Sequence, residues 1–348
     1  MNTTLQDLLG IALPIIQAPM AGAQGSALAI AVSNAGGLGS LPCSLLSFEE
    51  MRTELARVKQ GTDKPYNVNF FCHNHQPPDA AREAAWKRKL APYYDEYGIE
   101  TDCIPAVADR VPFNADAAAL VEEFKPAVVS FHFGLPAPDL LSRVTKTGAM
   151  VLSSATTVEE AIWLVERGVD AVIAQGSEAG GHRGMFLSDD LSSQADAFSL
   201  LPQIQSAVEV PVILAGGIAD ARTVAAAIEL GAAAVQIGTA YLLCPEATTS
   251  SVHRAALRSE VAHQSAISNV FTGRPARGIV NRMMRELGPM NDQVPAFPHA
   301  ARMLSPLRQR AEAQGNGDFS PLWAGANTTG CQEIPAADLT KQLAALLV

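Results

Sequence analysis

Eight short apolar runs recur along the chain, and segments with the spacing of amphipathic helices separate most of them. The runs cover residues 15–19, 37–41, 67–71, 127–133, 150–155, 171–175, 210–215 and 234–238. Several are apolar almost throughout, which is typical of parallel strands buried on both faces. Helices are predicted between them, for example over residues 26–34, 157–167 and 220–230. The alternation predicts an α/β fold, a (β/α)8 TIM barrel, with a doubly wound open sheet as the alternative.

Two segments do not fit the repeat and predict a smaller, inserted helical domain. Residues 74–103 have a polar, helical pattern, and residues 251–317 hold further helix candidates, several prolines and a Gly/Asn stretch. We expect these two segments to pack together over the top of the barrel. Residues 1–73, 104–250 and 318–348 would then form the barrel itself.

Composition narrows the class of protein. The 348 residues are 48% hydrophobic and 17% charged, with a net charge of −10 and no stripe of Lys and Arg, so nucleic acid is not an expected partner. Five cysteines without a CxxC pair indicate free thiols in a reducing compartment. No stretch approaches the roughly 20 apolar residues of a membrane span, and the N-terminus lacks a secretory signal pattern. We therefore expect a cytoplasmic protein, a monomer or a homodimer, without membrane association.

Glycines follow the seventh and eighth strands, at the end of the barrel where the sites of this fold lie. Gly216 and Gly217 come after one strand, and Gly238 and Thr239 after the other. Because glycine allows backbone N–H groups to approach phosphate oxygens closely, these residues predict a phosphate-binding cup. The alternative is that the glycines only permit tight turns between strand and helix.

Amide side chains lie within or at the ends of three apolar runs, at Asn69, Gln175 and Gln236. A buried amide needs hydrogen-bond partners. The partners could be neighbouring backbone groups, or the heterocycle edge and hydroxyl groups of a ligand. Three amides at three strand ends favour a ligand.

Two histidines are candidates for the reactive centre. His182 lies in a glycine-rich loop after the sixth strand, and a histidine can act as a base or as a charged donor at neutral pH. The alternative is a loop histidine bonded to a carboxylate such as Glu178. His132 lies within the fourth strand and could equally be a buried core residue.

Other catalytic patterns have little support. Residues 72–75 read Cys-His-Asn-His without a third ligand nearby, so no metal site is predicted. Cys43 and Cys244 are conceivable nucleophiles, but neither has a recognisable basic partner. No GxGxxG follows a strand, and no P-loop or GxSxG motif occurs.

The motifs at the strand ends together resemble those of the nitronate monooxygenases, formerly called 2-nitropropane dioxygenases. They are QAPMAG (17–22), NVNFF (67–71), SFHFG (130–134), AQGSEAGGHRG (174–184), LAGGI (214–218) and QIGT (236–239). The similarity runs nearly end to end and includes FTGRPARGIVN (271–281) and SPLWAG (320–325). The segment 174–184 is the most specific of these motifs.

The resemblance implies a TIM barrel with a helical second domain and a non-covalently bound FMN. It implies that the residues against the flavin and its phosphate side chain are Met20, Ala21, Asn69, Gln175, Gly180, Gly217, Gln236, Ile237, Gly238 and Thr239. It makes His182 the catalytic histidine and His132 a second histidine in the substrate pocket.

The implied reaction is the oxidation of an alkyl nitronate, such as propionate 3-nitronate, by O2 to a carbonyl compound and nitrite. A neutral nitroalkane would first lose its α-proton, for which His182 is the candidate base. One departure concerns the substrate, because relatives line the outer pocket with tyrosines and a lysine, whereas residues 251–317 contain neither. That region offers instead His253, His263, Arg302, Arg308 and Arg310.

Three other functions remain open at this point. The first is an FMN-dependent reductase on the same barrel, acting on quinones or on enoyl-ACP with NAD(P)H. The second is a flavin-free isomerase or lyase that acts on a sugar phosphate. The third is an FMN-binding protein without enzymatic activity, with a storage or sensing role.

Overall fold

The computed structural model describes residues 4–74, 76–100 and 111–347. Its strands are β1 (Ile15–Gln17), β2 (Gly39–Pro42), β3 (Tyr66–Phe71), β4 (Val128–His132), β5 (Met150–Ala155), β6 (Ala171–Gln175), β7 (Gly181–His182), β8 (Val212–Ala215), β9 (Ala234–Ile237), β10 (Ser265–Ser268) and β11 (Ala276–Ile279). Eight of them form one parallel sheet in the order β1-β9-β8-β6-β5-β4-β3-β2. A parallel bridge between Ile16 and Leu38 joins its two ends. The TIM barrel is therefore confirmed, and the open sheet is wrong.

Helices follow most of the barrel strands, as the periodicity predicts. The helices of the described residues are α1 (Leu5–Leu9), α2 (Ser26–Asn34), α3 (Phe48–Gly61), α4 (Ala80–Glu96), α5 (Ala115–Phe124), α6 (Pro138–Lys146), α7 (Val158–Val165), α8 (Ala197–Gln205), α9 (Ala221–Glu229), α10 (Ser251–Arg258), α11 (Arg282–Leu287), α12 (Ala300–Ala313) and α13 (Ala336–Leu343). Asp220 caps α9 by accepting from the N–H of Thr223 at 2.8 Å. No helix within the described ranges is both long and apolar enough to cross a membrane.

Alternate residues of each strand point into the barrel, and these inward residues differ between the two ends of the strands. At the N-terminal ends of the strands most inward residues are apolar, apart from the buried Asn67, and Leu5 and Leu9 of α1 belong to the same cluster as Val128 and Ile213. Towards the C-terminal ends, polar residues occupy the same face at Asn69, His132, Gln175 and Gln236. The strand pattern therefore collects the polar side chains at one end of the barrel.

The two segments predicted as a smaller domain share a hydrophobic core of their own. Trp86 and Leu90 of α4 pack in one cluster with Met283, Leu307 and Phe319. A bidentate ion pair also joins α4 to α11, in which Arg282 donates to both oxygens of Glu96 at 2.7 and 2.8 Å. The boundaries of this domain stay a prediction, and the one at residues 103 and 104 lies outside the described residues.

The second region also contains a β-hairpin, which the sequence analysis did not predict. Strands β10 and β11 form an antiparallel hairpin, and β11 pairs with β7 to give a three-stranded sheet. Each hairpin strand has only four residues, too few for a clear alternation to be read. The hairpin matters because β7 carries His182, which pairs with Ala276.

Candidate active site

A cavity of about 270 Å³ opens at the C-terminal ends of the barrel strands. Its walls include every residue that the resemblance assigned to the cofactor, namely Met20, Ala21, Asn69, Gln175, Gly180, Gly217, Gln236, Ile237, Gly238 and Thr239. His132 and His182 line the same cavity. The structure thus brings the predicted residues to one place, while their roles remain predictions.

The glycine end of the cavity offers backbone N–H groups to an anion. Gly216 and Gly217 have φ angles of +121° and +73°, which side chains with a Cβ rarely adopt. Among the described residues, none accepts a hydrogen bond from the N–H of Gly217, Ile218, Gly238 or Thr239. A 3-10 turn over Thr239–Leu243 begins there, so its N-terminus adds a favourable dipole. The arrangement suits a phosphate group.

The amides differ in how far the protein already occupies them. The Gln175 amide is engaged at both ends, since Nε2 donates to the carbonyl of His182 at 3.0 Å and Oε1 accepts from the N–H of Gly184 at 2.7 Å. Asn69 donates through Nδ2 to the Ser130 hydroxyl at 2.9 Å. Gln236 is half-buried in the cavity wall. Gln175 therefore shapes the site by holding β7, whereas Gln236 is better placed to meet a ligand.

His182 is held from both domains. Its carbonyl accepts from Gln175 and also from Nε2 of His132 at 3.2 Å. Its own Nε2 lies 2.9 Å from the hydroxyl of Thr272, in the turn between β10 and β11. The ring centroids of Phe71, Phe297 and Trp323 lie 6.1, 5.5 and 5.6 Å from that of His182. Backbone, hydroxyl and aromatic contacts together fix the imidazole at the cavity wall.

Glu178, the proposed partner of a merely structural His182, has other contacts. Its carboxylate accepts from the N–H of Ala197 at 2.9 Å, and its carbonyl accepts from the N–H of Ala326. Arg277 interacts electrostatically with Glu178 and donates to the neighbouring carbonyl of Ser177 at 2.7 Å. These contacts make Glu178 an anchor of the loop that carries His182.

His132 is a neutral imidazole with an assignable tautomer. Because the carbonyl of His182 can only accept, Nε2 of His132 carries the proton, and Nδ1 accepts from the Ser154 hydroxyl at 2.6 Å. Burial, together with the charges of nearby Arg274 and Arg183, lowers the pKa of His132 to about 3, although the hydrogen bond to His182 opposes the shift. His132 thus positions His182 without carrying a charge.

Two arginines that the sequence analysis did not assign to the site stabilise its walls. Arg183 is fully buried and donates to the carbonyls of Gly176 and Gln175 at 2.6 and 2.8 Å. Arg274 donates to the carbonyl of Met185 at 2.6 Å, and its guanidinium lies 4.1 Å from the ring centroid of Phe133. Both lie in motifs of the resemblance, but only the fold shows that they face protein carbonyls and an aromatic ring.

The described thiols are poorly suited to nucleophilic catalysis. Burial raises the pKa of Cys244 to about 12 and raises that of Cys43 further. His73 is buried with its ring centroid 4.9 Å from that of Phe297, and His75 lies outside the described residues. Within the described ranges, no group of three or more His, Cys, Asp or Glu side chains could hold a metal.

Two of the five basic residues considered for the outer pocket line this cavity, His253 and Arg308. Arg308 pairs with Glu312 at 2.8 Å, and Arg302 pairs with Glu83 at 2.9 Å. His263 and Arg310 are exposed. The outer wall here therefore combines a neutral imidazole with an arginine paired to a carboxylate.

His253 makes the stability of the fold depend on pH. It is only 8% exposed, and burial lowers its pKa from 6.5 to about 4. Since the unfolded chain binds the proton more readily, stability is full above pH 6.5 and falls as the pH drops from 6.5 towards 4. Between pH 7 and pH 5 the wild-type protein should lose about 2 kcal/mol of unfolding free energy because of His253. We expect His253→Leu to lack this part of the loss, as measured by urea denaturation. The exposed control His263→Gln should keep the wild-type loss, and an unchanged loss in His253→Leu would contradict the assignment.

The chain matches the family model described as nitronate monooxygenase over residues 2–345. It is 43% identical to a nitronate monooxygenase of Pseudomonas aeruginosa, over 99% of this chain and 98% of that protein. It is 41% identical to a nitronate monooxygenase of Paraburkholderia phytofirmans, over 97% of this chain and 93% of that protein. The resemblance stated from the motifs is confirmed.

Two solved structures have an architecture similar to that of this chain. A nitroalkane oxidase of Streptomyces ansochromogenes has a TM-score of 0.89 and 38% identity, covering 99% of this chain and 97% of that chain. FabK from Thermotoga maritima has a TM-score of 0.72 and 27% identity, covering 99% of this chain and 95% of that chain.

Proposed function

Since the chain belongs to the nitronate monooxygenase family, we propose that FMN occupies the cavity and that His182 acts on the substrate beside it. The enzyme oxidises nitronates and nitroalkanes. The observation that carries the cofactor assignment is the set of unpartnered N–H groups at the glycine end of the cavity. A phosphate satisfies those donors, and the rest of the cavity extends from them towards His182.

The lining fits the three parts of FMN. The N–H groups of Gly217, Gly238 and Thr239 suit the phosphate, because they lie after the strands where barrels bind phosphate. Asn69 and Gln236 supply amides for the polar edge of the flavin and its hydroxyl chain. Met20 and Ala21 line the same cavity from the loop after β1. When bound, FMN supplies the electron transfer that the side chains cannot perform.

The chain's own contribution is to bind, orient and deprotonate the substrate. With a neutral nitroalkane, His182 removes the α-proton, a task for a base held in a fixed position. With a nitronate, which is already an anion, His182 donates a hydrogen bond to it and orients it. Thr272 lies at hydrogen-bond distance from Nε2 of His182, so it can accept from or donate to the ring as the proton moves.

The chemistry of the product gives the first test. We expect apoprotein reconstituted with FMN to consume O2 and release nitrite when propionate 3-nitronate is added, measured with an oxygen electrode and a colorimetric nitrite assay. The apoprotein without FMN is the control and should release none. Nitrite release that is independent of FMN would contradict the proposed cofactor, and a reconstituted protein without nitrite release would contradict this substrate.

A further inference from the structure

We propose that Asn327 is a positioning residue that aims a backbone N–H of the glycine cup at the cofactor phosphate. It lies in a segment of the C-terminal tail, residues 325–331, that we call the tail strap. The inference rests on the proposed function, since it concerns the part of FMN that enters the cup. Asn327 itself lines the cavity and is half-buried.

The tail strap is anchored on the cup and on the loop beside it. Its contacts are Gly325 N–H to the Thr239 hydroxyl at 2.9 Å, Ala326 N–H to the Glu178 carbonyl at 2.9 Å, Asn327 Nδ2 to the Gly217 carbonyl at 3.2 Å, and Cys331 Sγ to the Thr239 carbonyl at 3.1 Å. At Gly330 a Cβ would lie 2.0 Å from the carbonyl oxygen of Ala219. The strap is therefore seated directly against the chain that forms the cup.

The orientation of the Asn327 amide follows from its other partners. Its Oδ1 accepts from the N–H of Thr329 at 3.2 Å and from the Thr329 hydroxyl at 2.7 Å. A backbone N–H can only donate, so the oxygen must lie on the Thr329 side. The NH2 group is left to donate to Gly217, as the 3.2 Å contact shows.

The hydrogen bond from Asn327 to the Gly217 carbonyl also sets the direction of the Ile218 N–H. In a planar trans peptide, the C=O of one residue and the N–H of the next point to opposite sides. Asn327 draws the Gly217 oxygen towards the strap, so the Ile218 N–H points away from it. That N–H has no acceptor among the described residues. It is therefore presented to a ligand in the cup.

The strap acts on Thr239 in a similar way. Because Gly325 N–H donates to the Thr239 hydroxyl, that oxygen serves as an acceptor on the strap side and keeps its proton for another partner. A phosphate oxygen in the cup can accept that proton. Asn327 and Gly325 together convert two groups of the cup into donors that favour an anion.

Asn327→Leu tests the proposal, because leucine has a similar shape and no amide. We would titrate the apoprotein with FMN and with riboflavin, which lacks the phosphate, and follow flavin fluorescence. We expect the Kd for FMN to rise about tenfold and the Kd for riboflavin to stay unchanged. Thr328→Val is the matched control, since Thr328 lies on the same strap and its hydroxyl makes no hydrogen bond to Asn327 or to the cup among the described residues, and it should retain wild-type affinity for both flavins.

Other outcomes separate this inference from the proposed function. An unchanged Kd for FMN, or an equal loss for FMN and riboflavin, would overturn the role of Asn327 and leave the flavin site intact. A wild-type protein that binds no FMN would overturn the proposed function and this inference with it. If the leucine variant fails to fold, Asn327→Ala removes the same amide without adding a branched side chain. It should give the same selective rise in the Kd for FMN.

Discussion

His182→Ala is expected to retain FMN while losing most of its turnover of neutral nitroalkanes, by about 10²- to 10⁴-fold. The imidazole lies in the cavity wall and is held by Thr272 and by the contacts to its own carbonyl. None of the cup donors depends on that side chain, so the phosphate site should remain. Initial rates of O2 uptake with a nitroalkane, together with the flavin spectrum of the purified variant, give the two readouts.

The preformed nitronate is the internal control for this experiment. A nitronate has no α-proton to lose before it reacts, so its turnover in His182→Ala should fall less than that of the parent nitroalkane. The exposed His263 provides a matched variant, His263→Ala, which should behave as the wild type. Unchanged nitroalkane turnover in His182→Ala with FMN bound would exclude the base role.

Gly217→Val is expected to yield a folded protein that binds FMN at least about 100-fold more weakly than the wild type. A Cβ at Gly217 would find its nearest neighbour, Glu178, only at 4.0 Å. The added branched side chain would therefore project into the cavity where the phosphate is proposed to lie. The φ of +73° adds backbone strain for any residue other than glycine. Fluorescence titration of the apoprotein measures the loss.

The variant Gly148→Val distinguishes the loss of the phosphate site from the effect of backbone strain alone. It has a φ of +86° and nothing within 4 Å of an added Cβ, and it precedes β5 at the opposite end of the barrel. Gly148→Val should carry a comparable strain and keep wild-type FMN affinity. If Gly217→Val bound FMN as tightly as Gly148→Val, the phosphate would not lie where we propose.

The barrel was predictable because buried parallel strands leave a strong signal. Uniformly apolar runs such as residues 171–175 can be recognised without any tertiary information, and the eight predicted strands agree with the structure within two residues at each end. The period of two then implies that Asn69, Gln175 and Gln236 belong to the inner face. The cavity end of the barrel follows from the fold, since loops after strands carry the sites of this architecture.

Contacts between distant segments were not predictable. Thr272 reaches His182 across 90 positions of the chain, and Asn327 reaches Gly217 across 110. Thr272 lies in the motif at 271–281 and Asn327 lies in none of the motifs, and neither side chain carries a charge that marks it as functional. The partners of the Gln175 amide were not predictable either. The sequence places Gln175 beside a ligand but does not reveal that Gly184 and His182 already occupy both ends of its amide.

Anaerobic mixing of the FMN-loaded protein with propionate 3-nitronate, and separately with NADH, tests whether the bound flavin oxidises nitronates. The flavin absorbance spectrum is recorded after each addition. We expect the nitronate to reduce the flavin and NADH to leave its spectrum unchanged. Full bleaching by NADH with no response to the nitronate would contradict this expectation and would assign the protein to the flavin-dependent reductases, with His182 as a proton donor to their acceptor.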